Sequence, residues 1–443
     1  MHGEDTTSAV SGGLHRFGTA RAGWFREFAA PLGLLLVCPP SVVLLWLAAT
    51  YFDGSLLSLL KNWSEIFALW PWPSVSALGM LAVWAALQAA LLKWLPGKIF
   101  YGPATPMGNR PAYKLNGVAA YALTHVLLWL AAYPLGLFSP TIVYDHFGEL
   151  LMTLSAVALV LCVFLFVKGT RSPCSSDSGR SGNIIWDFFW GVELHPTLGS
   201  LNLKQLVNCR IAMMGWSVII LSFAAKQQAL HGAMSTAMVA ALTLQLVYII
   251  KFFVWESGYF TSLDMTHDRF GFYIAWGVLS WLPSVYTLAS LYLVTHPGDL
   301  SPLAAVAIVV IGVAFIVVNY QADAQRQRVR ETNGETTVWG VPPELIVARY
   351  RTGDGQTHQS LLLASGWWGV ARHFHYTAEV AAACLWTLPA GFDHFLPWFY
   401  PVFLATLLFD RAGRDDLRCR GKYGPYWERY CERVPWRILP GIY

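Results

Sequence analysis

Charge is what this sequence has least of. Only 13% of its 443 residues are Asp, Glu, Lys or Arg, about half the roughly 25% of an ordinary soluble domain. That deficit excludes a typical soluble globular protein. The net charge is a modest +4, and the basic residues sit in loops and near the C-terminus, so nucleic-acid binding is a poor reading. Cysteine is scarce and scattered: Cys38, Cys162, Cys174, Cys209, Cys384, Cys419 and Cys431 form an odd set with no CxxC, which gives neither a disulfide framework nor a zinc site, and no other metal site is expected. A GxGxxG after a strand is missing, which excludes a Rossmann dinucleotide site. The opening "MHGEDTTSAVSGGLHRFGTARAGWFREF" has no apolar signal-peptide core, so residues 1–27 are expected to be a retained, mobile cytosolic tail.

What remains is hydrophobic. Apolar residues make up 55% of the chain and aromatics 15%, with 21 Trp, a composition suited to aromatic belts at bilayer interfaces. A bilayer core needs about 20 apolar residues per helix. Eight stretches qualify: Ala29–Thr50, Ser74–Trp94, Gly117–Phe138, Leu150–Val167, Leu206–Ala225, Ala233–Trp255, Tyr273–Val294 and Pro302–Tyr320. A ninth apolar region, Ala378–Phe409, is split by Pro389, Gly391, Asp393 and Pro397 and reads as a short helical hairpin; the alternative is one long kinked helix. The expected fold is therefore all-α, a polytopic membrane protein of about ten spanning helices in a single domain over residues 28–443. Lys and Arg crowd alternate loops, from Arg16, Arg21 and Arg26 to the run between Arg411 and Arg437. The positive-inside rule then places both termini and the long polar loops in the cytosol.

Four polar clusters invite chemistry. In "NYQADAQRQRVRETNG" (319–334), Arg326 and Arg330 are four apart and share a face if the helix continues; two guanidiniums suit a phosphate, or form a basic stripe that snorkels to the lipid surface. The C-terminal run from Asp410 mixes Arg414, Asp415, Arg418, Arg420, Lys422, Tyr423 and Tyr430. It could hold a nucleotide, or be a juxtamembrane basic segment drawn to anionic lipid. "WESGYFTSLDMTHDRFGFY" (255–273) crowds Glu256, Asp264, His267 and Asp268 at a membrane boundary, where ionisable groups are costly and often functional; a hydrogen-bonded structural loop is the other reading. Glu193, His195, Lys204 and Arg210 precede the fifth apolar stretch and suit capping and loop ordering.

Five ordered motifs, "GPATPMGNRPAYKLNG" (102–117), "GVELHPTLG" (191–199), "LDMTHDRFGFY" (263–273), "LLLASGWWGVARHFHY" (361–376) and "RDDLRCRGKYGPYWERYCERVPWRILPGIY" (414–443), resemble the sterol reductases, the family that includes the Δ14- and Δ7-sterol reductases and the lamin B receptor. "GVARHFHY" and the ending "LPGIY" look most like the Δ7-reducing branch. Many members have Asn where His375 stands, whereas the plant-type Δ7-reductases carry His; Lys is frequent where Arg326 stands. The resemblance implies an NADPH-dependent enzyme that reduces the carbon 7–8 bond of a 5,7-diene sterol drawn from the bilayer. It further implies a cytosol-facing cofactor pocket, mainly in residues 320–443, lined by Arg326, Arg330, Leu363, Trp368, His375, Tyr376, Asp415, Cys419, Arg420, Gly421, Lys422, Tyr423 and Tyr430. The acid that such chemistry needs is sought among Tyr259, Asp264, His267 and Glu256. The membrane would be the endoplasmic reticulum of a eukaryote or the inner membrane of a bacterium. A Δ14-reductase and a non-catalytic sterol binder are the alternatives.

Overall fold

A computed structural model describes residues 23–443; most of the expected N-terminal tail lies outside the described residues. Among the described residues, seven helices are long and apolar enough to cross a bilayer: α1 (Phe25–Tyr51), α2 (Val75–Trp94), α4 (Phe147–Arg171), α5 (Leu203–His231), α6 (Thr236–Val254), α7 (Phe272–Thr295) and α8 (Pro302–Glu331). α3 (Gly117–Ala132) is shorter. It stops six residues before the expected Phe138 because Pro134 cannot continue the ladder and Gly136 turns the chain at φ +57°. Two further helices, α9 (Phe374–Thr387) and α10 (Phe399–Tyr423), pack against each other as the hairpin. The segment between them carries two 3₁₀ turns and Gly391 at φ +71°, whose carbonyl accepts from the Trp398 indole at 2.8 Å. α11 (Pro425–Arg433) ends the helical series.

The all-α expectation holds for the bulk, with three two-stranded ribbons added: β1 (Lys98–Tyr101) with β2 (Ala112–Leu115), β3 (Thr197–Leu198) with β4 (Leu201–Asn202), and β5 (Leu345–Arg351) with β6 (Thr357–Leu363). Two helices outrun their expected bounds. α8 continues eleven residues past Tyr320 and α10 fourteen past Phe409, because "QADAQRQRVRE" and "DRAGRDDLRCRGKY" are rich in good helix formers and contain no proline. Both therefore project polar, arginine-bearing turns beyond their apolar parts. One buried apolar cluster runs from Val42 to Ile438 and fuses α1 and α4–α10. A smaller one, with Ala348, Leu362, Cys419, Tyr423, Trp427, Tyr430 and Val434, glues the β5–β6 ribbon onto the projecting ends of α10 and α11.

Candidate active site

The polar end of α8 meets that of α10 through Arg326, Trp368, His373 and Asp415, and the polar and aromatic cluster they form is the candidate cofactor cleft. Arg326 pairs with Asp323 at 3.0 Å and lies over the Trp368 ring at 4.1 Å. One turn on, Arg330 is exposed and makes no ion pair among the described residues. Trp368 is fixed from behind: its indole donates to the Ala322 carbonyl at 2.6 Å, and Leu363, Val329 and Val338 pack around it. The turn that presents it needs Gly366, at φ +62°, where a Cβ would meet the Gln325 side chain and Val338 at 2.5 Å.

α10 forms the opposite wall. Asp415, Cys419 and Lys422–Tyr423 recur at helical spacing and share a face. Asp415 is buried and accepts from Arg418 at 2.9 and 2.7 Å, with His373 3.5 Å from its other oxygen. The Lys422 ammonium sits 4.0 Å above the Tyr350 ring of β5, and the Tyr423 hydroxyl donates to Ser360 of β6 at 3.3 Å. The ribbon thus roofs the cleft, and Tyr430 ties its far end to the Trp368 carbonyl at 3.3 Å.

The charges here are tuned by burial and by one another. Burial pushes His373 down to about 3 and His375 to about 4, so both imidazoles are neutral at pH 7. Each keeps a buried Nδ1 with no hydrogen-bond partner. Burial alone would raise the Asp415 carboxyl, but the Arg418 guanidinium and His373 hold it well below the usual carboxylate range. Burial, then Arg418, lowers Lys422 to about 7. The result is a groove with cations at its rim, one fixed carboxylate, aromatic walls and orphaned imidazole nitrogens. That donor set fits a phosphorylated dinucleotide: guanidiniums and an ammonium for phosphates, flat rings for stacking, and spare polar atoms for ribose or amide groups.

Next to the cleft, inside the bundle, lies a second polar group. Glu379 stands one turn beyond His375 on α9 and accepts from the Tyr248 hydroxyl of α6 at 3.0 Å. Lys251, one turn from Tyr248, donates to Asn319 of α8 at 2.7 Å, and Asn319 donates to the His375 carbonyl at 3.0 Å. Aromatic rings surround Tyr248: Trp216 at 5.8 Å and Trp386 at 5.5 Å, with Tyr286 edge-on to Trp216 and Tyr400 stacked on Trp386. A chain of polar groups thus connects the cleft to a buried aromatic cluster among α5, α6, α7, α9 and α10, called the chamber below.

This combination bears the stamp of a family. A model of the ergosterol biosynthesis ERG4/ERG24 family matches residues 47–443. The chain belongs to that family. It is a sterol reductase, a membrane oxidoreductase of sterol biosynthesis. It is 49% identical to 7-dehydrocholesterol reductase of Arabidopsis thaliana over 422 residues, covering 94% of this chain and 98% of the relative. Against 7-dehydrocholesterol reductase of Xenopus laevis the figures are 37% over 393 residues, 86% and 83%. Against Delta(14)-sterol reductase of Methylotuvimicrobium alcaliphilum they are 36% over 414 residues, 93% and 94%.

In this sterol reductase most of the residues expected to hold cofactor converge. Arg326, Arg330, Trp368, His375, Tyr376, Asp415, Cys419, Lys422, Tyr423 and Tyr430 border or underlie the cleft, and Leu363 packs behind Trp368. Arg420 and Gly421 do not join them. Arg420 pairs with Asp416 at 3.0 Å on a different face of α10, where Asp416 also takes Trp427 and Arg437.

The residues expected to supply a proton are each held by other side chains. Glu256 is buried in an ion pair with Arg210 and caps the Gly117 amide at 3.1 Å. Asp264 is paired with Arg411, and His267 with Asp268, which also holds Arg414 at 2.9 Å. The Tyr259 hydroxyl accepts from Asn208 at 3.0 Å. These contacts fasten the 255–273 segment to α5 and α10. Tyr248, Lys251 and Glu379 escaped sequence reasoning; the available signal was the mere presence of a Lys and a Glu within apolar helices.

Proposed function

We propose that this enzyme reduces the carbon 7–8 double bond of a 5,7-diene sterol with NADPH. The observation that carries the reading is the adjacency, along one face of α9, of a cation-rimmed cleft at His375 and an aromatic chamber at Glu379. The identity with plant and animal 7-dehydrocholesterol reductases supports the choice of bond.

A ring-B diene carries no carbonyl to polarise it. Protonation at carbon 8 gives an allylic cation over carbons 5 to 7, and addition of hydride at carbon 7 completes the reduction. When bound, NADPH supplies that hydride. Arg326, Arg330, Arg418 and Lys422 would hold its phosphates, and Trp368, Tyr376 and Tyr423 its rings. The Tyr248 hydroxyl, which donates to Glu379 at 3.0 Å, is the candidate proton donor. The faces of Trp216, Trp386 and Tyr400 stabilise the cation and exclude water. Of the acids expected from the sequence, Asp264 acts at one remove, by orienting Arg411 at the rim of the chamber. The sterol arrives from the bilayer and the cofactor from the cytosol. Both described ends of the chain lie on the cleft's side: Arg26 is 4.0 Å from Asp410, and the Tyr443 ring lies tilted 5.2 Å from Phe409. This favours cytosolic termini.

The test is purified enzyme in lipid nanodiscs with a 5,7-diene sterol and either NADPH or NADH, read by gas chromatography. The expected product is saturated at carbons 7 and 8, with kcat/KM for NADPH at least about tenfold above NADH, since one charge-assisted contact to a 2′-phosphate carries about that factor. Reduction of an 8,14-diene but not of the 5,7-diene would replace this reading with the Δ14 activity. Equal specificity constants for the two cofactors would remove the 2′-phosphate contact.

Lys422 gives a pH signature. In the cofactor-free cleft it titrates at about 7, and only the ammonium attracts phosphate. NADPH affinity is therefore expected to be full below that value and to decline as pH rises through it. Lys422→Arg, which stays charged, should flatten the profile in a fluorescence titration. A flat wild-type profile would show that Lys422 does not contact the cofactor.

A further inference from the structure

Arg328 lies half a turn around α8 from both Arg326 and Arg330, so it faces away from the cofactor cleft. It is exposed, and its guanidinium makes no ion pair or hydrogen bond among the described residues, unlike Arg326 with Asp323. It lines a separate cavity of about 330 Å³ together with Gln321, Gln325, Thr336, Thr337 and Trp339. That volume lies in the range of small-ligand sites.

Three features say what the cavity suits. First, its level: Tyr320, on its wall, packs edge-on against Trp255 at 5.9 Å, and both stand where the apolar part of α8 gives way to polar residues. Such aromatic pairs mark the headgroup layer. Second, its chemistry: a free guanidinium, two threonine side chains and two side-chain amides converge in one pocket, a donor set for a phosphodiester and the ester groups beside it. Third, its built wall: Trp339 holds φ +53°, an outlier for a bulky side chain, and is 59% exposed. Its ring stands edge-on to Trp367 at 5.2 Å, and Gln325 anchors the Trp367 amide at 3.2 Å. Strain of this kind persists where the surroundings impose it, and it clusters at binding sites.

We propose that this cavity binds the phosphodiester headgroup of an anionic membrane phospholipid, back to back with the cofactor cleft. Trp367 and Trp368 divide the two sites: the first faces the lipid cavity through Trp339, the second faces Arg326 in the cleft.

The experiment is native mass spectrometry of the full-length enzyme in detergent, titrated with phosphatidylglycerol, phosphatidylcholine or inorganic phosphate. One phosphatidylglycerol should be retained at activation energies that strip phosphatidylcholine. Its affinity should fall about tenfold or more in Arg328→Gln and recover in part in Arg328→Lys. Sterol reduction by Arg328→Gln in a zwitterionic nanodisc should match wild type, showing an intact fold. Equal phosphatidylglycerol retention by wild type and Arg328→Gln would overturn the proposal, as would equal retention of the two lipids. Displacement of the lipid by millimolar inorganic phosphate would also overturn it, by assigning the cavity to a soluble anion.

Discussion

Replacing Tyr248 by Phe should cut kcat by roughly a hundredfold to ten-thousandfold, the usual worth of a positioned general acid, and leave the NADPH dissociation constant unchanged. Among the described residues the hydroxyl donates to Glu379 at 3.0 Å, and the ring keeps its packing against Trp216 and Trp386 without it. A merely structural role would show as a lowered melting temperature with kcat nearly intact, because a neutral buried hydrogen bond contributes only about 1 kcal/mol. Single-turnover kinetics separate the outcomes. If hydride transfer in a folded Tyr248→Phe enzyme runs within threefold of wild type, the acid is elsewhere. Asp264→Asn is the informative companion. It should perturb kcat less than Tyr248→Phe, because Asp264 reaches the chamber only through Arg411.

Asp415→Ala should weaken NADPH by about tenfold to a hundredfold while sterol binding stays largely intact. The carboxylate is buried, takes two hydrogen bonds from Arg418 and lies 3.5 Å from His373. Losing a charge-assisted contact costs about 1.5–3 kcal/mol, which converts to that range. An exposed ion pair would contribute about 0–1 kcal/mol, so titrating cofactor into the solubilised variant distinguishes the two. The opposite sign is also informative. Tighter NADPH binding in Asp415→Ala would show that the carboxylate competes with a phosphate for Arg418, and an unchanged constant would detach Asp415 from the cofactor altogether.

The spans were legible because long apolar runs have few alternatives in a chain this poor in charge, and the hairpin because Pro389, Gly391 and Pro397 interrupt one such run. Motif resemblance pointed to residues that the fold brings together around Trp368 and Asp415. It could not assign faces: Asp415 and Asp416 are neighbours in sequence, yet one turns to Arg418 and His373 and the other to Arg420, Trp427 and Arg437. Knowing that α10 runs on to Tyr423 would have separated them by helical phase. The β5–β6 ribbon lies in a polar stretch between apolar spans and was not expected, although "TGDG" (352–355) is a turn between two β-prone stretches. The Tyr248–Lys251–Asn319–Glu379 group was hardest to see. Its members come from three helices, and only packing brings them together.

That α9 carries both the cleft and the chamber has a kinetic consequence. On the proposed function one reactant would reach the enzyme through water and the other through lipid, so they would be counted in different units: molarity for the nucleotide, mole fraction in the membrane for the sterol. Adding inert phospholipid at constant total sterol dilutes only the second. The apparent KM for sterol should then rise in proportion while the KM for nucleotide holds still. If the two routes are separate, as proposed, each reactant should be exchangeable while the other stays seated.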